Sequence, residues 1–266
     1  MGLLQEKNEG LRKLLAGYGR LAVAFSGGVD SSFLLAAAAE VLGDQVLAVT
    51  AAPVFVPQRE LEEAEAFCRE RGIRQVVLPA GELNIDGVRH NPPDRCYHCK
   101  KEIFSRIRRA ASEEGFRILA EGSNLDDTGD YRPGMRAVRE LGVVSPLLEA
   151  GLTKAEIREL SRQMSLPTWE KPSFACLASR FVYGEAITEN KLHMVEQAEM
   201  GLHDLGFRQC RVRIHGMMAR IELLPEDMDR FFEKRTRESV NHMLKDLGFK
   251  HVSVDLQGYR TGSMNE

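Results

Sequence analysis

The chain has 266 residues, of which 43% are hydrophobic and 28% are charged, and its formal net charge is −3 at pH 7. These values are those of an ordinary globular protein with one large domain, or with a medium and a small one. The charge shows no basic excess that would indicate a nucleic-acid partner. No apolar run approaches the roughly 20 residues that cross a bilayer. We therefore expect neither nucleic acid nor a membrane among the partners of this protein.

The N-terminal segment, residues 1–20, carries leucines at helical spacing and lacks the apolar core and cleavage site of a signal peptide. An amphipathic helix and a cytoplasmic location are expected. The chain contains five cysteines. An odd number in a cytoplasmic protein argues against a disulfide framework and leaves thiol chemistry open.

The first two-thirds of the chain alternates short β-rich runs with helical patterns. Buried strands are predicted at Leu21–Phe25, Gln45–Ala51, Gln75–Pro79 and Arg117–Glu121. Helices are predicted at Ser31–Leu42, Pro57–Arg71, Cys96–Glu114 and Lys154–Met164. Strands that alternate with helices predict an α/β fold with a parallel sheet covered on both faces.

The pattern changes near Leu166, after which two prolines and several small residues follow. The remaining chain predicts a helix, two strands, a helix and a strand, in that order. Their predicted ranges are Thr188–Leu205, Gln209–Ile214, Ala219–Leu224, about 226–247 and His251–Leu256. We therefore expect a first domain over residues 1–170 and a smaller α+β domain over residues 171–266.

A glycine-rich loop lies directly between the first predicted strand and an apolar helix. It reads Ser26-Gly27-Gly28-Val29-Asp30-Ser31-Ser32. Its two glycines permit a tight turn and a close approach of backbone N–H groups to phosphate oxygens. Its serines add donors at a helix start that favours an anion, and the Asp30 carboxylate suits Mg²⁺ bridging the phosphates. The alternative is an ordinary strand-to-helix turn with a polar cap.

This string resembles the SGGxDSS loop of the PP-loop ATP pyrophosphatases, which cleave ATP between the α- and β-phosphates. The resemblance implies ATP and Mg²⁺ as cofactors and a domain of the adenine nucleotide alpha hydrolase type. It places the end of the second strand near the adenine and a further loop, Glu121-Gly122-Ser123-Asn124, near the nucleotide. The residues that it implies for nucleotide binding are Ala24, Ser26, Gly27, Gly28, Asp30, Ser31, Ser32, Thr50, Tyr97 and Gly122.

Four further stretches narrow the resemblance to the LarE family of ATP-dependent sacrificial sulfur transferases. They occur in the same order as in that family, and the resemblance covers essentially the whole chain. They are residues 91–100 (NPPDRCYHCK), 121–134 (EGSN, DD and GDYRPG), 172–180 (PSFACLASR) and 211–216 (RVRIHG).

The LarE resemblance implies a definite reaction in the synthesis of the nickel-pincer nucleotide used by lactate racemase. A carboxylate of pyridinium-3,5-biscarboxylic acid mononucleotide attacks ATP and forms an acyl-adenylate. A protein cysteine then forms a thioester and loses its sulfur to the substrate, which leaves dehydroalanine. Each chain gives one sulfur, and relatives form trimer-based hexamers.

Cys176 matches the sulfur donor of the family and is therefore predicted to be catalytic, together with Ser179, Arg180 and Asp30. Ser179 is a plausible hydrogen-bond partner, and Arg180 suits either a phosphate or a thiolate. The alternative for Cys176 is an inert buried thiol. Some relatives instead hold an iron–sulfur cluster with three cysteines, and no such triplet surrounds Cys176.

Cys96 and Cys99 form a CxxC pattern with His98 between them. Zinc needs about four ligands at suitable spacing, and no second CxxC or HxxxH pattern is present. Zinc therefore stays a minor alternative. The resemblance instead places the ring of Tyr97 near the nucleotide.

Arg211 and Arg213 alternate along one predicted strand and so share a face. The family pattern implies that they bind the phosphate of the substrate at a subunit interface, and the alternative is a solvated strand face. The same pattern implies a divalent metal at Glu199, Glu222 and Asp229, although each of them, taken alone, is more readily explained as a surface charge.

Two other classes of function stay open. An amide-forming PP-loop enzyme, such as a GMP or NAD synthetase, would need no loop cysteine, and a tRNA thiolase would need a basic surface. A nucleotide sensor without catalysis would release no pyrophosphate. The intact Asp30 and Ser31 argue against a sensor.

Overall fold

The computed structural model describes residues 2–53, 56–79, 87–129, 133–172 and 176–260. Parts of two motifs quoted above, residues 130–132 and 173–175, lie outside these ranges. The chain divides into two compact units, residues 1–85 with 94–174 and residues 86–93 with 175–266. Residues 87–93 join the second unit because Asn91 bonds through its side chain to the carbonyls of Phe181 and Val182, at 3.2 and 2.7 Å.

The first unit is built on a four-stranded parallel sheet in the order β3-β2-β1-β4. Its strands are β1 (Leu21–Ala24), β2 (Val46–Ala51), β3 (Gln75–Leu78) and β4 (Leu119–Ala120). Val144 adds a single parallel bridge to Ala120 at the β4 edge. The predicted α/β fold with a parallel sheet is confirmed.

Seven helices accompany this sheet in the described part of the first unit. They are α1 (Leu3–Tyr18), α2 (Val29–Leu42), α3 (Gln58–Glu70), α4 (Arg95–Glu113), α5 (Pro133–Glu140), α6 (Pro146–Glu149) and α7 (Lys154–Gln163). The short helices α5 and α6 were not predicted from the sequence.

Alternation along the strands separates two hydrophobic cores, one on each face of the sheet. Leu21 and Val23 of β1 pack in one core with the α2 residue Phe33. Ala22 packs in the other core with Phe104 of α4. Because both faces are covered, the strands are apolar at successive positions.

The second unit contains a three-stranded sheet in the order β5-β6-β7. Strands β5 (Cys210–His215) and β6 (Met218–Leu223) are antiparallel, whereas β6 and β7 (His251–Val254) are parallel. Its helices are α8 (Glu189–Asp204), α9 (Met228–Phe232) and α10 (Lys234–Asp246). The expected smaller α+β unit is therefore present.

The single helix predicted over residues 226–247 is wrong, because the chain breaks at Glu233, where φ is −54° and ψ is 136°. Phe231 is buried before the break, and Val240 and Leu244 are buried after it. Nine residues make about two and a half helical turns, so Phe231 and Val240 would face opposite sides of one continuous helix. The break lets both segments bury their apolar residues.

Within the described ranges, no helix combines the length and the apolar character needed to span a membrane.

Candidate nucleotide and sulfur-donor sites

The glycine-rich loop leads from β1 to α2 in the first unit. Gly27 has a φ of +72°, which favours glycine, and an added Cβ would lie 3.1 Å from the Cβ of Ala64. Gly28 is the N-cap of α2 and has extended backbone. The loop therefore presents the first N–H groups of α2 at the carboxyl edge of the sheet, where ligands of open α/β sheets collect.

Hydroxyl groups organise the inside of this loop. The Oγ of Ser31 accepts from the N–H of Ser26 at 3.3 Å, lies 3.0 Å from the Oγ of Ser26, and donates to the carbonyl of Gly28 at 3.2 Å. The Oγ of Ser32 is buried and has no hydrogen-bond partner in the part of the chain that the structure describes. A buried donor of this kind, beside the free N–H groups of a helix start, fits a phosphate group.

Asp30 is engaged by two residues from other elements. Its Oδ1 accepts from the side-chain amide of Asn124 at 3.2 Å, and its Oδ2 is paired with the ammonium of Lys154. Lys154 begins α7, and its N–H donates to Asp126 at 2.8 Å. Because this pair forms at the loop, Lys154 belongs to the candidate site.

Sequence reasoning did not identify Lys154, although one signal was present. Thr153 and Glu156 form the capping box that starts α7. A lysine at the first position of that helix, next to the loop that follows β4, could have been tested as a partner of Asp30.

The loop after β4 lies against the glycine-rich loop. A Cβ at Gly122 would lie 3.0 Å from the N of Ser31, so this approach requires glycine. The buried Glu121 stabilises the loop by accepting from the N–H and the hydroxyl of Ser123, at 3.1 and 2.8 Å, and from the hydroxyl of Ser145 at 2.6 Å.

Two of the other predicted nucleotide residues lie on neighbouring strands. Ala24 is the last residue of β1, and Thr50 is buried in β2, where its Oγ1 accepts from the side-chain amide of Gln75 at 2.8 Å. Both lie toward the carboxyl ends of their strands.

Tyr97 lies on α4 and contacts α5. Its hydroxyl donates to Glu140 at 2.7 Å, and the guanidinium of Arg136 lies 3.8 Å from its ring centroid. The hydrogen bonds to Tyr97 and Lys101 lower the pKa of Glu140, and the bonds to Tyr97 and Glu140 raise the pKa of Lys101. The role of Tyr97 near a nucleotide stays a prediction.

In the second unit, Cys176 is exposed and precedes a 3-10 turn that runs from Leu177 to Arg180. The N–H of Ser179 donates to the carbonyl of Cys176 at 2.9 Å. Arg180 donates to the same carbonyl at 3.2 Å and to the Oγ of Ser179 at 2.9 Å. The inert, buried thiol considered as an alternative for Cys176 is therefore not what the structure contains.

Arg180 is 1% exposed and forms a bidentate ion pair with Glu199 of α8: its Nε donates to Oε1 at 2.9 Å and its Nη2 donates to Oε2 at 2.8 Å. Glu199 also accepts from the N–H of Val212 at 3.0 Å. Burial lowers the pKa of Arg180, but the carboxylate of Glu199 outweighs it, and the net change is upward. Arg180 thus links the cysteine turn to α8 and stays charged.

Arg211 and Arg213 lie on β5 and are both buried, so a solvated strand face is excluded. Arg213 donates to Glu222 at 3.0 and 2.8 Å and to the carbonyl of Ser179 at 2.9 Å. Arg211 lies over the ring of Tyr259, 5.2 Å from its centroid. Burial, and then the charge of Arg180, lowers the pKa of Arg211.

The three carboxylates predicted to hold a metal have different surroundings. Glu199 is paired with Arg180, Glu222 is fully buried between Arg213 and Arg220, and Asp229 lies on α9. In the described ranges, no group of three or more His, Cys, Asp or Glu residues is arranged to hold a metal ion. A cation at Glu199 or Glu222 would have to displace the arginines paired with them.

The CxxC pattern lies on the first two turns of α4. Cys96 is exposed and Cys99 is half-buried, and His98 bonds to Asp94 at 3.1 Å. The described residues supply no third ligand to this pair that would make a metal group, so the zinc alternative gains no support. Burial raises the pKa of Cys68 and of Cys210 to about 12.

Comparisons with known proteins find relatives along the whole chain. An uncharacterised protein of Synechocystis sp. is 39% identical over 264 residues, which are 99% of this chain and 98% of that protein. The pyridinium-3,5-bisthiocarboxylic acid mononucleotide synthase of Lactiplantibacillus plantarum is 37% identical over 267 residues, 100% of this chain and 96% of the synthase. A component of the glutamine-hydrolysing GMP synthase of Methanococcus vannielii is 27% identical over 213 residues, 73% of this chain and 66% of that component. No protein-family model matches the chain.

Proposed function

Since the chain belongs to the LarE family within the PP-loop ATP pyrophosphatase superfamily, we propose that it transfers sulfur to pyridinium-3,5-biscarboxylic acid mononucleotide. Membership of the superfamily implies use of ATP, and the family implies a nucleotide substrate. The identity to the named synthase over the whole chain carries the proposal. The exposure of Cys176 on an anchored turn supports it.

ATP binds with its phosphates at the loop between β1 and α2. The N–H groups at the start of α2 and the hydroxyls of Ser31 and Ser32 donate to phosphate oxygens. Asp30 would hold Mg²⁺, which would offset phosphate charge. Lys154, which pairs with Asp30 in the structure, would then be available to the phosphates. A carboxylate of the substrate attacks the α-phosphorus, and pyrophosphate leaves.

Sulfur transfer begins when the thiolate of Cys176 attacks the carbonyl carbon of the acyl-adenylate. A C–S bond forms, AMP leaves, and the protein holds the substrate as a thioester. A base removes the Cα proton of Cys176, and the Cβ–S bond breaks with its electron pair going to sulfur. The substrate departs as a thiocarboxylate and the chain keeps dehydroalanine. Two chains are consumed for one bis-thiocarboxylate.

Arg180 and Ser179 hold the donor turn in position through the contacts of the Arg180 guanidinium. Arg211 and Arg213 bind the substrate phosphate, and Arg211 gains most from an anion because burial and Arg180 both disfavour its charge. A trimer-based hexamer completes the proposal.

The proposal is tested by comparing Cys176→Ala with a second exposed cysteine, Cys96→Ala, as the matched control. With ATP, Mg²⁺ and the biscarboxylate mononucleotide, Cys176→Ala should still release pyrophosphate and form no thiocarboxylate. Cys96→Ala should release pyrophosphate and also form the thiocarboxylate. Thiocarboxylate made by Cys176→Ala would contradict the proposal, and amide made from ammonia by either variant would favour a synthetase.

A further inference from the structure

Lys171 carries a mostly buried cation beside the glycine-rich loop that neither the sequence motifs nor the proposed chemistry uses. Its side chain is 11% exposed, and its ammonium lies 2.7 Å from Glu60 and 2.7 Å from Glu63, both on α3. The ammonium also donates to the carbonyl of Gly27 at 3.2 Å. One side chain therefore links the glycine-rich loop to α3.

The bond to Gly27 fixes the orientation of the next peptide group. The carbonyl of Gly27 and the N–H of Gly28 belong to one planar trans peptide, so they point in opposite directions. Gly28 is the N-cap of α2. When Lys171 binds the carbonyl, the N–H of Gly28 is directed away from Lys171 and into the loop, where it lies 3.5 Å from the Oγ of Ser26, among the donors at the helix start.

Gly27 needs such a constraint more than other residues do. Its φ of +72° lies in the region that glycine enters readily, and glycine also leaves that region readily. A charge-assisted hydrogen bond to its carbonyl removes this freedom.

The backbone of Lys171 is held independently of its ammonium. The guanidinium of Arg158 on α7 donates to the carbonyl of Trp169 and, at 2.8 Å, to that of Lys171. Replacing the side chain of Lys171 therefore removes the contacts of the ammonium and leaves this backbone anchor in place.

Lys171 also offsets negative charge beside the loop. Glu60 is buried and Glu63 is half-exposed, and without Lys171 the two carboxylates would face the loop that receives a polyphosphate. The two effects, orientation of the peptide and neutralisation of charge, can be separated by substitution.

We propose that Lys171 is a positioning residue for ATP binding, which acts by holding the Gly27–Gly28 peptide with its N–H toward the phosphates. The inference rests on the ATP site of the proposed function and not on its sulfur chemistry. It is tested by the binding of α,β-methylene ATP with Mg²⁺, measured by calorimetry on the full chain. Failure of sulfur transfer alone would leave this binding unchanged, so the two proposals fail separately.

Four variants decide the question. Lys171→Met should weaken binding of the analogue by about tenfold or more, the usual effect of losing a charge-assisted hydrogen bond. Lys171→Arg, which keeps charge and donors, should recover a large part of the affinity. Lys171→Met/Glu60→Gln/Glu63→Gln removes the charge imbalance and should stay as weak as Lys171→Met. Lys7→Met is the matched control, because Lys7 pairs with Glu156 at 2.7 Å in the same unit.

Melting temperature is measured for each variant, so that a loss of folding is separated from a loss of positioning. Lys7→Met should melt lower than the wild type and bind the analogue normally. Binding by Lys171→Met within about twofold of the wild type would overturn the proposal. Recovery of the affinity in the triple variant would also overturn the proposal, because the negative charge of Glu60 and Glu63 alone would then account for the weak binding of Lys171→Met. If Lys171→Met does not fold, the triple variant, which leaves no unpaired carboxylate, takes its place: binding about tenfold weaker than the wild type supports the proposal, and binding within about twofold overturns it.

Discussion

Replacing Arg180 with methionine isolates the buried ion pair beside the sulfur donor. Arg180 is 1% exposed and bonds to both oxygens of Glu199, at 2.9 and 2.8 Å. Without it, the buried carboxylate keeps the N–H of Val212 as its described donor. Removing one partner of a buried pair typically costs about 3–5 kcal/mol, because the other charge stays buried without compensation.

The double variant Arg180→Met/Glu199→Gln should regain about 2 kcal/mol relative to the single variant. Glutamine is neutral, so the desolvated charge is gone, and its carbonyl oxygen still accepts from Val212. Both variants lose the donors of Arg180 to the Cys176 carbonyl and the Ser179 hydroxyl. Compared with Arg180→Met, the double variant should therefore be more stable, while its sulfur transfer should stay as impaired.

Hydrogen exchange of the β5 and β6 amides measures the free energy of opening for this unit. Arg237→Met is the control, because Arg237 is an exposed arginine on α10 of the same unit, and its effect should stay within about 0.5 kcal/mol. A loss below about 1 kcal/mol for Arg180→Met, or a double variant less stable than the single one, would refute this reasoning.

Three further outcomes are expected. At pH 8, iodoacetamide should modify Cys176 in the folded protein and leave Cys68 and Cys210 unmodified, because burial raises both of their pKa values to about 12; peptide mapping by mass spectrometry checks this. Gly27→Ala should reduce ATP binding at least about tenfold in calorimetry, since its φ of +72° disfavours a side chain. Lys154→Met should weaken ATP binding in calorimetry more than it slows the single-turnover release of pyrophosphate at saturating ATP, because the ammonium would bind phosphates once Asp30 takes up Mg²⁺.

A different result would contradict each of these three predictions. Modification of Cys210 at the rate of Cys176 would show that β5 opens readily. Wild-type ATP affinity in Gly27→Ala would mean that the loop tolerates a changed backbone. An unchanged ATP affinity in Lys154→Met would assign Lys154 to holding Asp30 alone.

The alternation of short apolar runs with helical patterns was enough to predict the parallel sheet of the first unit. Each β-rich run is too short for a helix, and the glycine-rich loop marks where β1 ends. This part succeeded because the periodicity of one segment determines its own structure. The position of the glycine-rich loop between β1 and α2 followed in the same way.

Features that depend on distant partners were not predictable from local pattern. Nothing in the sequence around Lys171 indicates that its ammonium reaches Gly27, which is 144 positions away. Nothing around Lys154 indicates Asp30, 124 positions away. Such contacts exist only after the sheet has brought the strand ends together.

The burial of the arginines of β5 could not be predicted from the local pattern either. Arginines at alternate positions of a strand usually indicate a solvent-exposed face, yet Arg211 and Arg213 are both buried. Glu222, fully buried on the neighbouring strand, compensates Arg213, and the register of the two strands is not visible in either segment alone. The break of the helix at Glu233 likewise reflects which faces are buried, not the local sequence.

The central claim is that Cys176 gives its sulfur atom to the substrate. The most direct test is the intact mass of the protein after incubation with ATP, Mg²⁺ and the biscarboxylate mononucleotide, followed by peptide mapping. The account predicts the loss of one hydrogen sulfide per chain, located at Cys176 and absent when ATP is omitted. Thiocarboxylate product formed while Cys176 keeps its full mass would contradict it and would indicate that sulfur comes from another source.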